Sequence, residues 1–186
     1  EYKAPKTLKE AVSLLSKANG NARILAGGTD LIDQMRQRRR TASLIIDGKS
    51  IPDLNRLEYN ERRGLRVGAA LSCTKIANSP VVKAHYHAIQ EACLLIGSVQ
   101  IQNRAAVGGN FCNASPSADT IPSFIVGGAR CVIAGPKGKR EVLAEEFFKS
   151  PGQTVMAANE LLVEIVVPSP PKNSSAHYLR FIPRAE

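Results

Sequence analysis

The chain has 186 residues, a formal net charge of +9 at pH 7 and 44% hydrophobic residues, which is enough to bury a sizeable core. No apolar stretch approaches the length of a membrane-spanning helix and the N-terminus lacks a signal-peptide region, so we expect a cytoplasmic protein. The basic excess would suit nucleic-acid binding, but only 5% of the residues are aromatic, Trp is absent and no nucleic-acid-binding motif occurs. The four cysteines are widely spaced, which disfavours a zinc or iron–sulfur site held by this chain alone.

The first 55 residues predict a small α/β lobe. A capping box at Thr7–Glu10 and an apolar stripe at helical spacing predict a helix over Leu8–Ala18. Short buried strands are expected at Ala22–Ala26 and Ser43–Asp47. Between them, a turn at Gly27–Gly28 precedes a helix that runs into a cluster of arginines, so the order is strand, glycine turn, helix, strand.

This order places Gly27–Asp30 at the N-terminus of a helix, where free N–H groups favour an anion such as pyrophosphate. A plain tight turn is the alternative, because a pair of glycines is weaker than the full dinucleotide-binding fingerprint. The arginines within Arg36–Arg40 are interpreted as a basic helix end, solvated or facing a partner, rather than as a nucleic-acid site.

Residues 56–186 predict a larger lobe of antiparallel strands with helices packed on them, so the fold class is α+β. His85 and His87 are two residues apart, on different faces of one predicted helix, and are interpreted as surface or packing residues rather than as a metal-binding pair. The predicted helices are Ser72–Ala77, Pro80–Gly97 and Thr120–Val126. The predicted strand pairs are Leu57–Asn60 with Leu65–Ala69, Ala129–Gly135 with Glu141–Leu143, and Leu161–Val167 with Ala176–Ile182.

The segment Gln100–Asp119 has neither helical nor strand periodicity and is rich in Gly, Asn, Ser and Ala. Gly108–Gly109 permits close approach of the backbone to a ligand, and short polar side chains surround the pair. With the earlier glycine turn, and without a catalytic triad or metal signature, this segment suggests a bound dinucleotide.

Five motifs occur in order along the chain: AGGTDL, IQNRAAVGGN, ASPSAD, ELLVEIVVP and YLRFIPRAE. Together they resemble the FAD-binding (medium) subunit of molybdenum hydroxylases, the family of xanthine dehydrogenase and carbon monoxide dehydrogenase, from Tyr2 to Glu186. The resemblance implies a two-lobed FAD-binding domain of the p-cresol methylhydroxylase type, with a small α/β lobe over 1–55 and a larger α+β lobe over 56–186. The family's C-terminal domain would lie outside this chain.

The resemblance also implies a function. The chain would be an oxidoreductase component that binds FAD non-covalently and passes electrons from iron–sulfur clusters of a partner to an external acceptor. Molybdopterin and [2Fe-2S] clusters would belong to partner subunits, a molybdopterin-binding large subunit and an iron–sulfur subunit, and no residue of this chain would be catalytic. The alternative is a free-standing nucleotide-binding or basic nucleic-acid-binding module.

Carried over by position, the resemblance implies two cofactor-binding segments and a few residues near the flavin or adenine ends. Asp119 would hydrogen-bond a sugar or ribityl hydroxyl. Two positions depart from the family: Arg180 stands where relatives often carry Lys, and Ala106 replaces a common Thr or Ser. The implied cofactor-binding residues are Leu25, Ala26, Gly27, Gly28, Thr29, Asp30, Leu31, Ile32, Ile96, Gly97, Ala106, Val107, Gly108, Gly109, Asn110, Asn113, Asp119, Leu162 and Arg180.

Overall fold

A computed structural model gives the structure of residues 1–181. The helices are α1 (Leu8–Lys17), α2 (Leu31–Arg36), α3 (Cys73–Ala77), α4 (Pro80–His85), α5 (His87–Leu94), α6 (Val99–Arg104), α7 (Val107–Asn113) and α8 (Thr120–Val126). The strands are β1 (Tyr2–Lys3), β2 (Ala22–Leu25), β3 (Leu44–Asp47), β4 (Leu57–Asn60), β5 (Gly64–Gly68), β6 (Arg130–Gly135), β7 (Gly138–Leu143), β8 (Phe148–Ser150), β9 (Gln153–Thr154) and β10 (Leu161–Val167).

The N-terminal part forms a small parallel sheet of order β1-β3-β2, with α1 against it. The predicted cap is present, since the Glu10 N–H donates to Thr7 Oγ1 at 3.2 Å. Ala11 and Leu15 of α1 are buried in one core with Ile46 of β3. The strand β1 was not predicted, because a two-residue strand carries no readable periodicity.

The larger sheet is antiparallel, with the order β4-β5-β10-β6-β7. One face packs on the helices around Phe111, and the other packs toward α1 through Val132 and Val163. The α+β fold class is therefore confirmed. The division near residue 55 stays a prediction, because the second core joins side chains from both sides of it.

The predicted pairing of Leu161–Val167 with Ala176–Ile182 is wrong. β10 is the central strand, and β5 and β6 occupy both of its edges, so no edge remains for a later strand. Residues 176–181 contain no strand, and Ile182 lies outside the described residues.

Two further elements differ from expectation. The helix predicted over Pro80–Gly97 is broken at Tyr86, whose backbone leaves helical geometry at φ −134° and ψ 51°. Its hydroxyl lies 3.2 Å from the carbonyl oxygen of Pro168 and donates to it. Gln100–Asp119 is largely helical rather than irregular, because Val107 and Phe111, four residues apart, are both buried in the core.

Within residues 1–181, no helix is long and apolar enough to cross a membrane. The location of the protein in the cell stays a prediction from sequence.

Candidate functional site

The first glycine segment, Ala26–Asp30, connects β2 to α2. Gly27 is buried there, and a Cβ on it would collide with the carbonyl oxygen of Arg104 and lie 2.9 Å from Cα of Ala105. Gly28 has φ of +80°, a conformation that L side chains rarely adopt. Glycine is therefore required at both positions, and Gly27 lets this segment touch the backbone that precedes α7.

The second glycine pair lies in the first turn of α7, and its two members differ. A Cβ on Gly108 would collide with Ala69, whose Cα would be 2.7 Å away. A Cβ on Gly109 would have no protein atom within 4 Å. Protein backbone therefore fills the space beside Gly108, whereas the space beside Gly109 is open.

A cavity of about 660 Å³ lies between the two glycine segments. It is within the size range of small-molecule and cofactor sites. Besides the two glycine segments, residues of β2, α2, β9 and β10 line the cavity. The wall residues include Ile24, Leu31, Gln34, Arg40, Ile96, Asn110, Asn113, Thr154, Met156, Leu161 and Leu162.

Backbone donors are available on both sides of this cavity. The N–H groups of Gly28, Thr29, Asp30 and Gly109 have no protein acceptor within residues 1–181. All four residues line the cavity. An acceptor-rich ligand, such as a phosphate or a polyhydroxyl chain, would satisfy these donors.

Side-chain amides add further donors. Asn113 Oδ1 accepts a hydrogen bond from Gln34 Nε2 at 3.0 Å, and Asn110 Oδ1 accepts one from the hydroxyl of Thr120 at 2.7 Å. Because both carbonyl oxygens are engaged, each asparagine keeps its NH₂ group for another acceptor. The Gln34–Asn113 bond also ties α2 to α7 across the cavity.

The charged residues of the wall are Arg23, Asp30, Arg40 and Glu160. Arg40 is half-buried and lines the cavity, whereas Arg36, Arg38 and Arg39 are exposed and do not line it. The interpretation of the cluster as solvated or facing a partner stays a prediction. Cys112 also lines the cavity, and burial raises the pKa of its thiol to about 12. The wall therefore carries both arginines and carboxylates, and at neutral pH it offers no thiolate nucleophile.

A sequence profile of the family described as "FAD binding domain in molybdopterin dehydrogenase" matches residues 1–170. The chain belongs to this family. It is 36% identical to the carbon monoxide dehydrogenase medium chain of Hydrogenophaga pseudoflava, over 91% of this chain and 58% of that protein. It is 33% identical to a putative xanthine dehydrogenase FAD-binding subunit of Escherichia coli, over 95% of this chain and 61% of that protein.

Solved structures of this FAD-binding family share the fold. The chain superposes on a chain of the Hydrogenophaga pseudoflava carbon monoxide dehydrogenase with a TM-score of 0.89 at 34% identity, over 92% of this chain and 60% of that one. For quinoline 2-oxidoreductase from Pseudomonas putida the TM-score is 0.87 at 27% identity, over 91% and 59%. The chain thus spans about three fifths of the length of the relatives that it matches, which are components of oxidoreductases.

Most of the residues implied by family resemblance meet at the cavity. Those that line it are Ala26, Gly27, Gly28, Thr29, Asp30, Leu31, Ile96, Ala106, Gly108, Gly109, Asn110, Asn113 and Leu162. Leu25, Ile32, Gly97 and Val107 are neighbours in sequence but do not line it; Val107 is a fully buried core residue, and Ile32 is 52% exposed.

Asp119 and Arg180 lie together outside the cavity wall. The carboxylate of Asp119 accepts a hydrogen bond from the hydroxyl of Tyr178 at 3.2 Å and lies 3.8 Å from Nη1 of Arg180. Arg180 also donates to the carbonyl oxygen of Leu95 at 3.4 Å. The protein contact seen for Asp119 is thus to the segment after β10, and its bond to a cofactor hydroxyl stays a prediction.

Several wall residues were not found from the sequence. Gln34 gave no signal, because a polar residue on a short helix is ordinarily a solvated one. Thr154, Met156, Ala157 and Ala158 reach the wall because the chain after β9 folds back toward the cavity. Arg40 belonged to a cluster whose charge pointed to the surface, and only tertiary structure separates it from its neighbours.

Proposed function

We propose that this chain binds FAD non-covalently in the cavity between the two glycine segments. The observation that carries this proposal is the pairing of open space beside Gly109 with backbone N–H donors that have no protein acceptor within residues 1–181. A cofactor with a pyrophosphate and a ribityl chain suits such donors. Membership of a family of FAD-binding domains supports this cofactor over other nucleotides.

Each part of the wall has a role in this proposal. Gly28–Asp30 and Gly109 donate backbone hydrogen bonds to the pyrophosphate and ribityl region, and Asn110 and Asn113 donate from their amides. Arg40 contributes positive charge against the phosphates. Ile96 and Leu162 supply apolar contact, which excludes water from part of the cofactor. The protonated Cys112 thiol favours non-covalent attachment, because a thiol with a pKa of about 12 is a poor nucleophile.

When bound, the isoalloxazine would supply the redox chemistry, and the protein orients it and sets its electrostatic environment. We infer that electrons arrive from iron–sulfur clusters of a partner subunit and leave to an external acceptor. A molybdopterin-binding large subunit would carry substrate oxidation. The medium-chain and FAD-subunit names of the relatives support this division of labour.

Native purification tests the proposed assembly. Flavin, iron and molybdenum should co-elute with the full-length subunit, in a fixed ratio across the peak. Intact, active material that contains flavin but neither iron nor molybdenum would instead support a free-standing flavoprotein.

A further inference from the structure

Three side chains of metal-ligating type meet away from the cavity, where α5 faces the segment after β10. His87 and Glu91 are four residues apart on α5 and share a face, and His177 approaches from the segment. One ligand atom from each residue lies within 4.8 Å of the others. None of the three lines the proposed FAD cavity.

Two of the three distances between ligand atoms suit a small tetrahedral ion. Glu91 Oε1 lies 3.2 Å from His87 Nε2 and 3.5 Å from His177 Nδ1. Zinc bonds of about 2.0–2.1 Å at tetrahedral angles separate neighbouring ligand atoms by about 3.3 Å. The side chains of His87 and His177 are 50% and 60% exposed, and their rings meet edge to face with centroids 5.1 Å apart.

We propose that His87, Glu91 and His177 form a binding site for a divalent ion of the zinc class. Two imidazoles and one carboxylate are a ligand set that such ions prefer, and water would complete the tetrahedron. The site would join a helix to the segment that follows the central strand.

The carboxylate is already held in place for this role. Glu91 Oε2 accepts the backbone N–H of Tyr178 at 2.8 Å, which leaves Oε1 facing the two imidazoles. This backbone bond is also the largest cause of the lowered pKa of Glu91. An ion at the site would therefore fix the segment whose Tyr178 and Arg180 reach Asp119.

The competing explanation is an ordinary surface ion pair between Glu91 and protonated histidines. The two explanations have opposite pH dependences. Ion pairing requires protonated imidazole, whereas metal binding requires neutral imidazole and so strengthens as the pH rises from 5.5 to 7.5.

The test is calorimetric titration of the chelator-treated full-length chain with Zn²⁺ alone. One site per chain is expected, with tighter binding at pH 7.5 than at pH 5.5. His87→Ala and His177→Ala should each weaken binding at least tenfold. His85→Ala is the matched control and should leave affinity unchanged, because His85 stacks on Tyr59 at 5.2 Å and is outside the cluster.

The titration would overturn the proposal if it showed no saturable Zn²⁺ binding, equal affinity in the two cluster variants and the wild type, or equal loss in the His85→Ala control. Titration with Co²⁺ adds a spectroscopic readout. A d–d band without thiolate charge transfer supports the nitrogen and oxygen ligands, and a thiolate charge-transfer band would assign binding to a cysteine and reject the site. Circular dichroism of each variant verifies that the fold is retained.

Discussion

Adjacent glycines at 108 and 109 have separate physical roles. Gly108 permits helix α7 to pack on Ala69, and Gly109 leaves open space at the cavity wall. Gly109→Val should therefore lower FAD affinity at least tenfold, equivalent to about 1.4 kcal/mol or more. The melting temperature of the apoprotein should not fall, because Val is no worse than Gly within a helix. Flavin fluorescence titration and thermal denaturation measure the two effects.

Gly108→Val is the matched comparison. Its side chain would collide with the backbone of Ala69, so the predicted primary effect is a loss of stability rather than a selective loss of cofactor. If Gly109→Val binds FAD as tightly as the wild type, the open space beside Gly109 is not where the cofactor lies.

Burial of two cysteines makes the stability of the fold depend on pH. The pKa values of Cys112 and Cys131 are both raised to about 12 by burial, whereas an exposed thiol titrates near about 8.5. Their contribution to stability is therefore fully present below about pH 8.5 and is lost as the pH rises toward 12. Urea unfolding should show lower stability at pH 9.5 than at pH 7.5, and replacing both thiols with Ala should reduce this difference. If the variant loses as much stability between pH 7.5 and pH 9.5 as the wild type does, the two buried thiols are not the cause of that loss.

At the scale of elements, the bond between Gln34 and Asn113 connects α2 with α7. Gln34→Ala removes it and frees Asn113 Oδ1, and the net worth of such a bond is about 0.5–1.5 kcal/mol. We expect FAD affinity to fall by roughly two- to tenfold. A double-mutant cycle with Asn113→Ala should give a coupling energy of similar size; additive effects would mean that the bond does not act in cofactor binding.

Apart from β1, the small parallel unit was predictable because its signals are local. Each signal lies within a few residues of the element that it predicts. These signals are the cap at Thr7, the apolar spacing of α1 and the glycine turn between β2 and α2. The association of the two glycine segments was likewise expected from their shared composition and from family resemblance. Their direct contact through Gly27 was not, since it depends on packing between distant parts of the chain.

Two errors have a common physical origin. Helix α7 contains the sequence Gly-Gly-Asn, which has poor helix propensity. Burial of Phe111 overrides that preference, and its ring makes an edge-to-face contact with Phe124 at a centroid distance of 5.6 Å. Strand β10 pairs with β5, which lies almost 100 positions earlier in the chain, and with β6, which lies about 30 positions earlier. Strand order of this kind is non-local, so local periodicity predicts the strand but not its neighbours.

On the scale of the whole molecule, the proposed FAD cavity lies where the small sheet, the helical layer and the central strand come together. Cofactor binding should therefore stabilise the fold as a unit. At a free FAD concentration one hundred times the dissociation constant, linkage gives about 2.7 kcal/mol of added stability. The melting temperature should rise with FAD concentration and fall when flavin is removed; a melting temperature independent of FAD would contradict a site that joins these elements.

The most direct test of the central claim is the flavin content of the purified full-length subunit. Acid precipitation should release one FAD per chain into the supernatant, since the cofactor is proposed to be held without a covalent bond. Flavin-free protein should recover the same stoichiometry when FAD is added back. A colourless subunit that cannot be reconstituted, or flavin that remains in the acid precipitate, would contradict this account.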